Sequence, residues 1–239
     1  MATIHRRPDT LIVGMLLAVV GGFLDAYTFV RHHVFANLQS GNVLMFCVEL
    51  TARHWNRAVL LLIPVVAFGI GVLLVEVLGL SRVERRIRRP LRLVVTLQIV
   101  LLALIAALPD DVPEQVTTVT VSFVAALQFS TFTTLRDAPY TTLAESGNLQ
   151  KGIAATHRWL AAGEPAAARR AGRYAVIIGS FAAGAMTGAV MTRLVGAPAV
   201  GVAAGLLTGV LALLIRQTRQ LQRGEASTGP PPPGSPTAH

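Results

Sequence analysis

Charge is scarce in this chain. Only 14% of its 239 residues are Asp, Glu, Lys or Arg, against about 25% in an ordinary soluble domain. Cysteine is nearly absent: Cys47 stands alone, so no internal disulfide forms and cysteine usage says nothing about redox compartment. The long apolar runs lack the alternation of an outer-membrane strand, which argues against a β-barrel. No Gly-x-Ser-x-Gly elbow surrounds Ser40, so a serine nucleophile is not expected. His32 and His33 are adjacent rather than three or four apart, and no cysteine or acid completes a cluster; no metal site is expected there. The first apolar run follows Arg6-Arg7 but is longer than the roughly 7–15 residues of a signal h-region. No small-x-small cleavage site closes it, and it reads as an uncleaved first span. No motif calls for a cofactor, and no catalytic residue is assigned.

What is present is apolar. Hydrophobic residues make up 53% of the chain and the mean hydropathy is +0.58. Six runs, at 11–30, 58–80, 91–108, 116–132, 174–191 and 197–215, approach the ~20 residues that cross ~30 Å of hydrocarbon as a helix. The expected fold class is all-α: a polytopic membrane protein of about six transmembrane helices whose first partner is the lipid bilayer.

The net charge of +9 follows topology rather than nucleic acid. Arginines gather in the connections: Arg82, Arg85, Arg86, Arg88, Arg89 and Arg92; then Lys151, Arg158, Arg169, Arg170 and Arg173; then Arg216, Arg219 and Arg223. The connection Asp110-Asp111-Val112-Pro113-Glu114 is acidic. Positive residues stay on the cytoplasmic side of short loops, so both termini are expected inside a bacterial inner membrane and Asp110 outside. No nucleic-acid partner is expected.

Ser-Gly-Asn occurs twice, at Ser40-Gly41-Asn42 and at Ser146-Gly147-Asn148, each downstream of an apolar run. The preceding stretches align as well: Asp25-Ala26-Tyr27-Thr28-Phe29 with Gln128-Phe129-Ser130-Thr131-Phe132. Helix interruptions at corresponding places in two halves point to the binding site of a repeat-built transporter. Each half reads span, Ser-Gly-Asn segment, span, span, and an odd number of spans inserts the halves with opposite orientation. The expected divisions are 1–108 for the first repeat, 109–216 for the second, and a disordered cytoplasmic tail at 217–239 that contains Pro230–Pro233.

Ser40 and Asn42 are good N-cap types and Gly41 permits a tight turn. Residues 43–50 would then form a half-helix, too short to span but long enough to dip and return. The more polar segment 149–160 would either dip or lie at the interface with Trp159. In the alternative, both triplets only cap interfacial helices. Asp25 lies about two-thirds along the first span, where a carboxylate needs a cavity or a partner. Its role would be a proton or cation site, or a structural pairing with Arg31 or a helix N-terminus. Glu76 is expected to pair with Arg82, and Glu49 and Glu145 to be hydrated. The residues expected along a solute pathway are Asp25, Phe29, Ser40, Gly41 and Asn42 from the first half. From the second they are Gln128, Phe132, Ser146, Gly147 and Asn148. Gly184-x-x-x-Gly188 and Gly201-x-x-x-Gly205-x-x-x-Gly209 form small-residue ridges, suited to close packing within the protomer or in a homo-oligomer.

Gly22-Phe23-Leu24-Asp25-Ala26, then Phe35, then Ser40-Gly41-Asn42 resembles the YoaK-like bacterial inner-membrane proteins. Gln128-x-x-x-Phe132, Tyr140-x-Thr142 and Ser146-Gly147-Asn148 are similar to that family's second motif, and the resemblance spans residues 10 to 215. Ser stands at 40 and 146 where Thr is commoner in the family. The resemblance implies the membrane class and carries no established activity. The function expected is a small-solute channel or secondary transporter with its pathway between two inverted repeats, not an enzyme. The alternatives are an intramembrane enzyme and a non-transporting scaffold or accessory protein.

Overall fold

The structure, a computed structural model, describes residues 10–79, 90–109, 112–135, 138–139 and 145–227. Arg82, Arg85, Arg86, Arg88, Arg89, Asp110, Asp111, Tyr140, Thr142 and Pro230–Pro233 lie outside the described residues. The described chain is built of helices α1 (Leu11–His32), α2 (Gln39–Thr51), α3 (Trp55–Leu78), α4 (Pro90–Ala106), α5 (Glu114–Thr131), α6 (Glu145–Ala162), α7 (Pro165–Val195) and α8 (Gly201–Ser227). A two-residue antiparallel ladder, Thr134–Leu135 with Ala138–Pro139, follows α5, and one 3-10 turn, Ala197–Val200, leads into α8.

Local signals set the helix ends. Thr10 caps α1, its hydroxyl accepting the Val13 N–H at 3.4 Å. His33, at φ 55°, turns the chain left-handed and closes α1 with its N–H on Phe29 O. Pro165 opens α7, where a missing N–H costs nothing, and Gly196 at φ 70° ends it.

Among the described residues four helices are long and apolar enough to cross a membrane: Leu11–His32, Trp55–Leu78, Pro165–Val195 and Ala197–Gln220. The other two expected spans are α4, with 17 residues, and the more polar α5, with 18. At 1.5 Å per residue both reach about 26 Å, just short of a typical hydrocarbon core. The division expected at 216/217 falls inside α8, which continues to Ser227. The reason is local: residues 217–227 contain no proline, and Gln and Arg are good helix formers.

Helix α1 is the centre of the molecule. Of its apolar stretch 67% is buried, against 22–33% in the other three candidate spans. It packs against α5, α7 and α8; α5 packs against α3 and α4; α2 packs on α3, α6 on α7, and α4 on α8. The main core joins Leu17, Val20, Phe23 and Tyr27 of α1 to Val95 and Leu102 of α4, Val121 and Val124 of α5, and Leu207 and Val210 of α8.

Apolar burial does not drive helices together in lipid, so close backbone approach matters more. Gly22 lies against Phe181 O and Gly184 against Val19 O, so that no Cβ fits at either, and a Cβ on Gly188 would stand 2.7 Å from Phe23 O. The ridge on α7 is thus used inside the protomer. On α8, Gly205 and Gly209 have open space beside them.

Candidate functional site

Between α1 and α2 the chain makes a short non-helical passage in which Val34, Ala36 and Asn37 are buried. Buried backbone N–H and C=O groups need partners, and nowhere more than in a membrane protein. Three side chains, Asp25, Gln39 and Asn42, provide them, and a fourth, Asn37, ties the passage to α1. Asp25 Oδ1 accepts the Asn37 N–H at 2.8 Å, and the N–H groups of Ala36 and Leu38 also face its carboxylate. Asn37 Nδ2 donates to Gly21 O at 2.8 Å. Gln39 Nε2 donates to Ala36 O at 2.6 Å. Asn42 meets the peptide groups of Phe35 from both sides: its Oδ1 accepts the Phe35 N–H at 2.9 Å and its Nδ2 donates to Phe35 O at 2.7 Å.

This arrangement explains the triplet. Asn42 is fully buried because it must match one residue's donor and acceptor together, which a side-chain amide does. Its remaining N–H goes to Gln39 Oε1 at 2.9 Å, so its donor capacity is used within the protein. Phe35, held by its backbone, stacks on Phe29 with ring centroids 4.9 Å apart. A Cβ on Gly41 would come within 2.9 Å of the Phe35 ring, which is why glycine stands there. The expected capping role fails: α2 starts at Gln39, its N-cap is Leu38 with no side-chain cap bond, and Ser40 is exposed. Of the structural partners weighed for Asp25, the passage leading into the α2 N-terminus is the one it bonds. Successive N–H groups there form an anion-holding nest. Arg31 instead sits 6.0 Å from the centre of the Tyr27 ring.

The second copy repeats the first and extends the motif by one residue. Gln39-Ser40-Gly41-Asn42 and Glu145-Ser146-Gly147-Asn148 both open a helix, and in both the four positions run half-buried, exposed, half-buried, buried. Asn148 Nδ2 reaches both Glu145 carboxylate oxygens at 3.4 Å, the counterpart of the Gln39–Asn42 bond. Burial pushes the Glu145 carboxyl above its ordinary range, opposed by the Asn148 hydrogen bond. Gln128, which matches Asp25, reaches across to α1 and donates from Nε2 to Leu17 O at 2.8 Å. Phe132 is buried and closes α5, its N–H on Gln128 O at 3.0 Å.

At one end of the bundle Glu49 is an ion-pair partner rather than a merely hydrated acid, 2.7 Å from His54 Nδ1 and 3.4 Å from Arg57 Nε. His32 Nδ1 stands 3.4 Å from Glu114 Oε2, tying the end of α1 to the start of α5. Glu76 is exposed, and its expected partner Arg82 lies outside the described residues. Cys47 is exposed.

Several buried polar atoms have no protein hydrogen-bond partner among the described residues: Gln98 Nε2 and Oε1, Ser122 Oγ, Gln128 Oε1, Thr131 Oγ1 and Asn37 Oδ1. In folded proteins such atoms are few and call for an explanation. Asn37, Gln39, Gln98 and Ser122 carry no motif signal in the sequence, and Thr131 stands out only as the match of Thr28. Aligning the two triplets one residue further upstream pairs Gln39 with Glu145, and Gln98 is the one amide in the run 91–108.

A family profile described as "Protein of unknown function (DUF1275)" matches residues 13–213. That is most of the chain, and the chain belongs to this uncharacterised family. No curated protein and no solved structure matches.

Proposed function

We propose that this member of an uncharacterised family is a multi-pass inner-membrane channel or secondary transporter for a small polar solute. It is built as two inverted repeats, α1–α4 and α5–α8, each of three spans and one shorter Ser-Gly-Asn helix. The packing supports the repeat. Exchanging α1 with α5, α2 with α6, α3 with α7 and α4 with α8 turns the α1–α7 contact into α5–α3, α2–α3 into α6–α7, and α1–α8 into α5–α4. The contacts α1–α5 and α4–α8 map onto themselves. All these pairs occur, as expected of an internal two-fold, and three spans per half make it an inverted one.

The observation that carries the solute reading is the set of unpartnered polar atoms on α4 and α5, where the halves meet: Gln98, Ser122, Gln128 and Thr131. Polar atoms buried in a lipid-embedded bundle are costly without partners, and a pathway for water and solute meets that need. Asp25 and Gln128 would stand at equivalent places beside it, with Phe29, Phe132 and the two Ser-Gly-Asn helix starts as its ends. The fixed backbone of the 33–38 passage would form its wall. A second reading, a non-transporting scaffold that assembles with copies of itself, draws on the open face at Gly205 and Gly209.

Uptake into proteoliposomes, screened over small polar solutes with and without a pH gradient, tests the function. Solute movement above that of protein-free vesicles is expected; none across the screen would favour the scaffold. Topology is tested by single cysteines at Asp110 and Arg86 in a Cys47→Ala background. They should label with an impermeant thiol reagent from outside and inside respectively, and labelling of both from one face would end the inverted-repeat reading.

A further inference from the structure

We infer that the end of the bundle where α1 stops and α3 and α5 begin carries a binding site for a small protonatable oxyanion, a carboxylate or an inorganic phosphate, held between His32 and Arg57. Both residues line a cavity of about 70 Å³ together with His33, Glu114, Gln115 and Thr118. One water needs roughly 10–15 Å³ of such space, so a group of a few heavy atoms fits.

The carrying observation is on His32. Its side chain is only 8% exposed. Its Nδ1 faces the Glu114 carboxylate at 3.4 Å, while its Nε2 is buried without a hydrogen-bond partner. A carboxylate on Nδ1 places a proton on that nitrogen. Nε2 is then a bare acceptor on the neutral ring and a donor on the protonated one. A weak-acid oxyanion suits both states, because ring nitrogen and ligand oxygen share one proton whichever of them carries it. Chloride suits only the protonated ring.

Arg57 supplies the second hold. It stands 3.4 Å from Glu49 through Nε, and its guanidinium has five N–H donors in the fork geometry that fits oxyanions, more than one carboxylate contact uses. The charged and titratable groups around His32 are Glu114 from α5, Arg31 and His33 from the end of α1, and Arg57, with its partner Glu49, from α3 and α2. Glu49 is paired with Arg57 and Glu114 faces His32, so when the ring is neutral the ligand enters with its own proton and brings no second charge beside Glu114. A cation is disfavoured by Arg57 on the wall, and no group of three His, Cys, Asp or Glu able to hold a metal occurs among the described residues. The site goes beyond the proposed transport, since its occupancy does not require passage through the bundle.

The full-length protein in lipid nanodiscs, titrated separately with sodium acetate, sodium phosphate and sodium chloride, tests this. The readouts are the fluorescence of Trp55, two residues before Arg57, and the thermal midpoint. A saturable response to acetate or phosphate but not to chloride is expected, at least tenfold weaker in Arg57→Gln and in His32→Gln. Acetate alone would mark a carboxylate site, phosphate alone an inorganic oxyanion site, and both a site for the shared chemistry. His32 is buried and its variant can misfold, but Arg57 is 61% exposed at its side chain, so Arg57→Gln decides. No saturable response in the wild type, or unchanged affinity in Arg57→Gln, overturns the site. Uptake assays on the same purified protein reconstituted into proteoliposomes separate its failure from failure of the transport reading.

Discussion

Asp25 and Gln128 hold matching places in the two aligned motifs, yet Asp25 turns back to the passage after its own helix while Gln128 crosses to the backbone of α1. A carboxylate is tolerated where several N–H groups converge on it, as they do from 36 to 38. A neutral amide suffices where a single carbonyl, Leu17 O, is the partner. The same contrast recurs one motif later. Gln39 must donate to Ala36 O as well as accept from Asn42, which an amide can do and an ionised carboxylate cannot, whereas Glu145 only accepts from Asn148 among the bonds described. The two motifs share a pattern of burial and differ in which of their polar groups can ionise.

The sharpest way to break the comparison is to remove the part both halves share. Asn42→Ala deletes three hydrogen bonds and leaves the Phe35 N–H and C=O without that partner; each stranded buried group costs about 1–3 kcal/mol. Loss of most folded protein, or a large fall in thermal midpoint in detergent, is expected. Asn42→Asp should be rescued only in part, since a carboxylate accepts from Phe35 N–H and cannot donate to Phe35 O. An Asn42→Ala protein of wild-type stability would mean that the passage does not depend on this clamp.

Asp25→Asn and Gln128→Met sharpen it next. Asp25→Asn keeps one acceptor for Asn37 and loses the charge, and a charged-group hydrogen bond contributes about 1.5–3 kcal/mol, so a fall of that order is expected. If Asp25 also couples transport to protons, the surviving protein should lose its dependence on an imposed pH gradient while downhill exchange continues. Unchanged gradient dependence per folded molecule would leave Asp25 a purely structural residue. Gln128→Met deletes one bond to Leu17 O and one buried oxygen without a partner. Those effects offset each other, so stability should stay within about 1 kcal/mol of wild type. Uptake per folded molecule should nevertheless fall if Gln128 lines the pathway; unchanged uptake would remove it.

How far the residues announced this is uneven. Continuous apolar runs made the helices legible, and α1, α3, α7 and α8 are where the pattern put them. The triplets were legible as a repeated feature, because a polar break in an apolar chain stands out. Their reason was not, since Asn42 serves Phe35, seven residues earlier, across a turn that only the folded chain defines. Asn37 and Gln39 look like ordinary loop polarity until the passage is seen to be buried. The glycine at 41 reads as a turn former, but it is there to admit a ring. Which ridge of glycines packs inside, α7 or α8, depends on tertiary neighbours that spacing does not encode.

The smallest expected effect bears on the one tetrad position where the halves differ in charge. Burial raises the Glu145 carboxyl above its ordinary value of 4.5. The folded state then binds the proton more readily than the unfolded one. By linkage, this group's contribution favours folding below pH 4.5 and is lost as the pH rises through the raised folded value. The residue is part-exposed, so solvent screening holds the effect to a few tenths of a kcal/mol. Glu145→Gln removes the titration and makes the second tetrad a chemical copy of the first. Its thermal midpoint, followed from pH 4 upward beside the wild type, should fall less with pH, and the two curves should draw apart as the pH rises. If both fall with the same slope, Glu145 is solvated in both states, and the likeness of the two tetrads does not extend to their first residue.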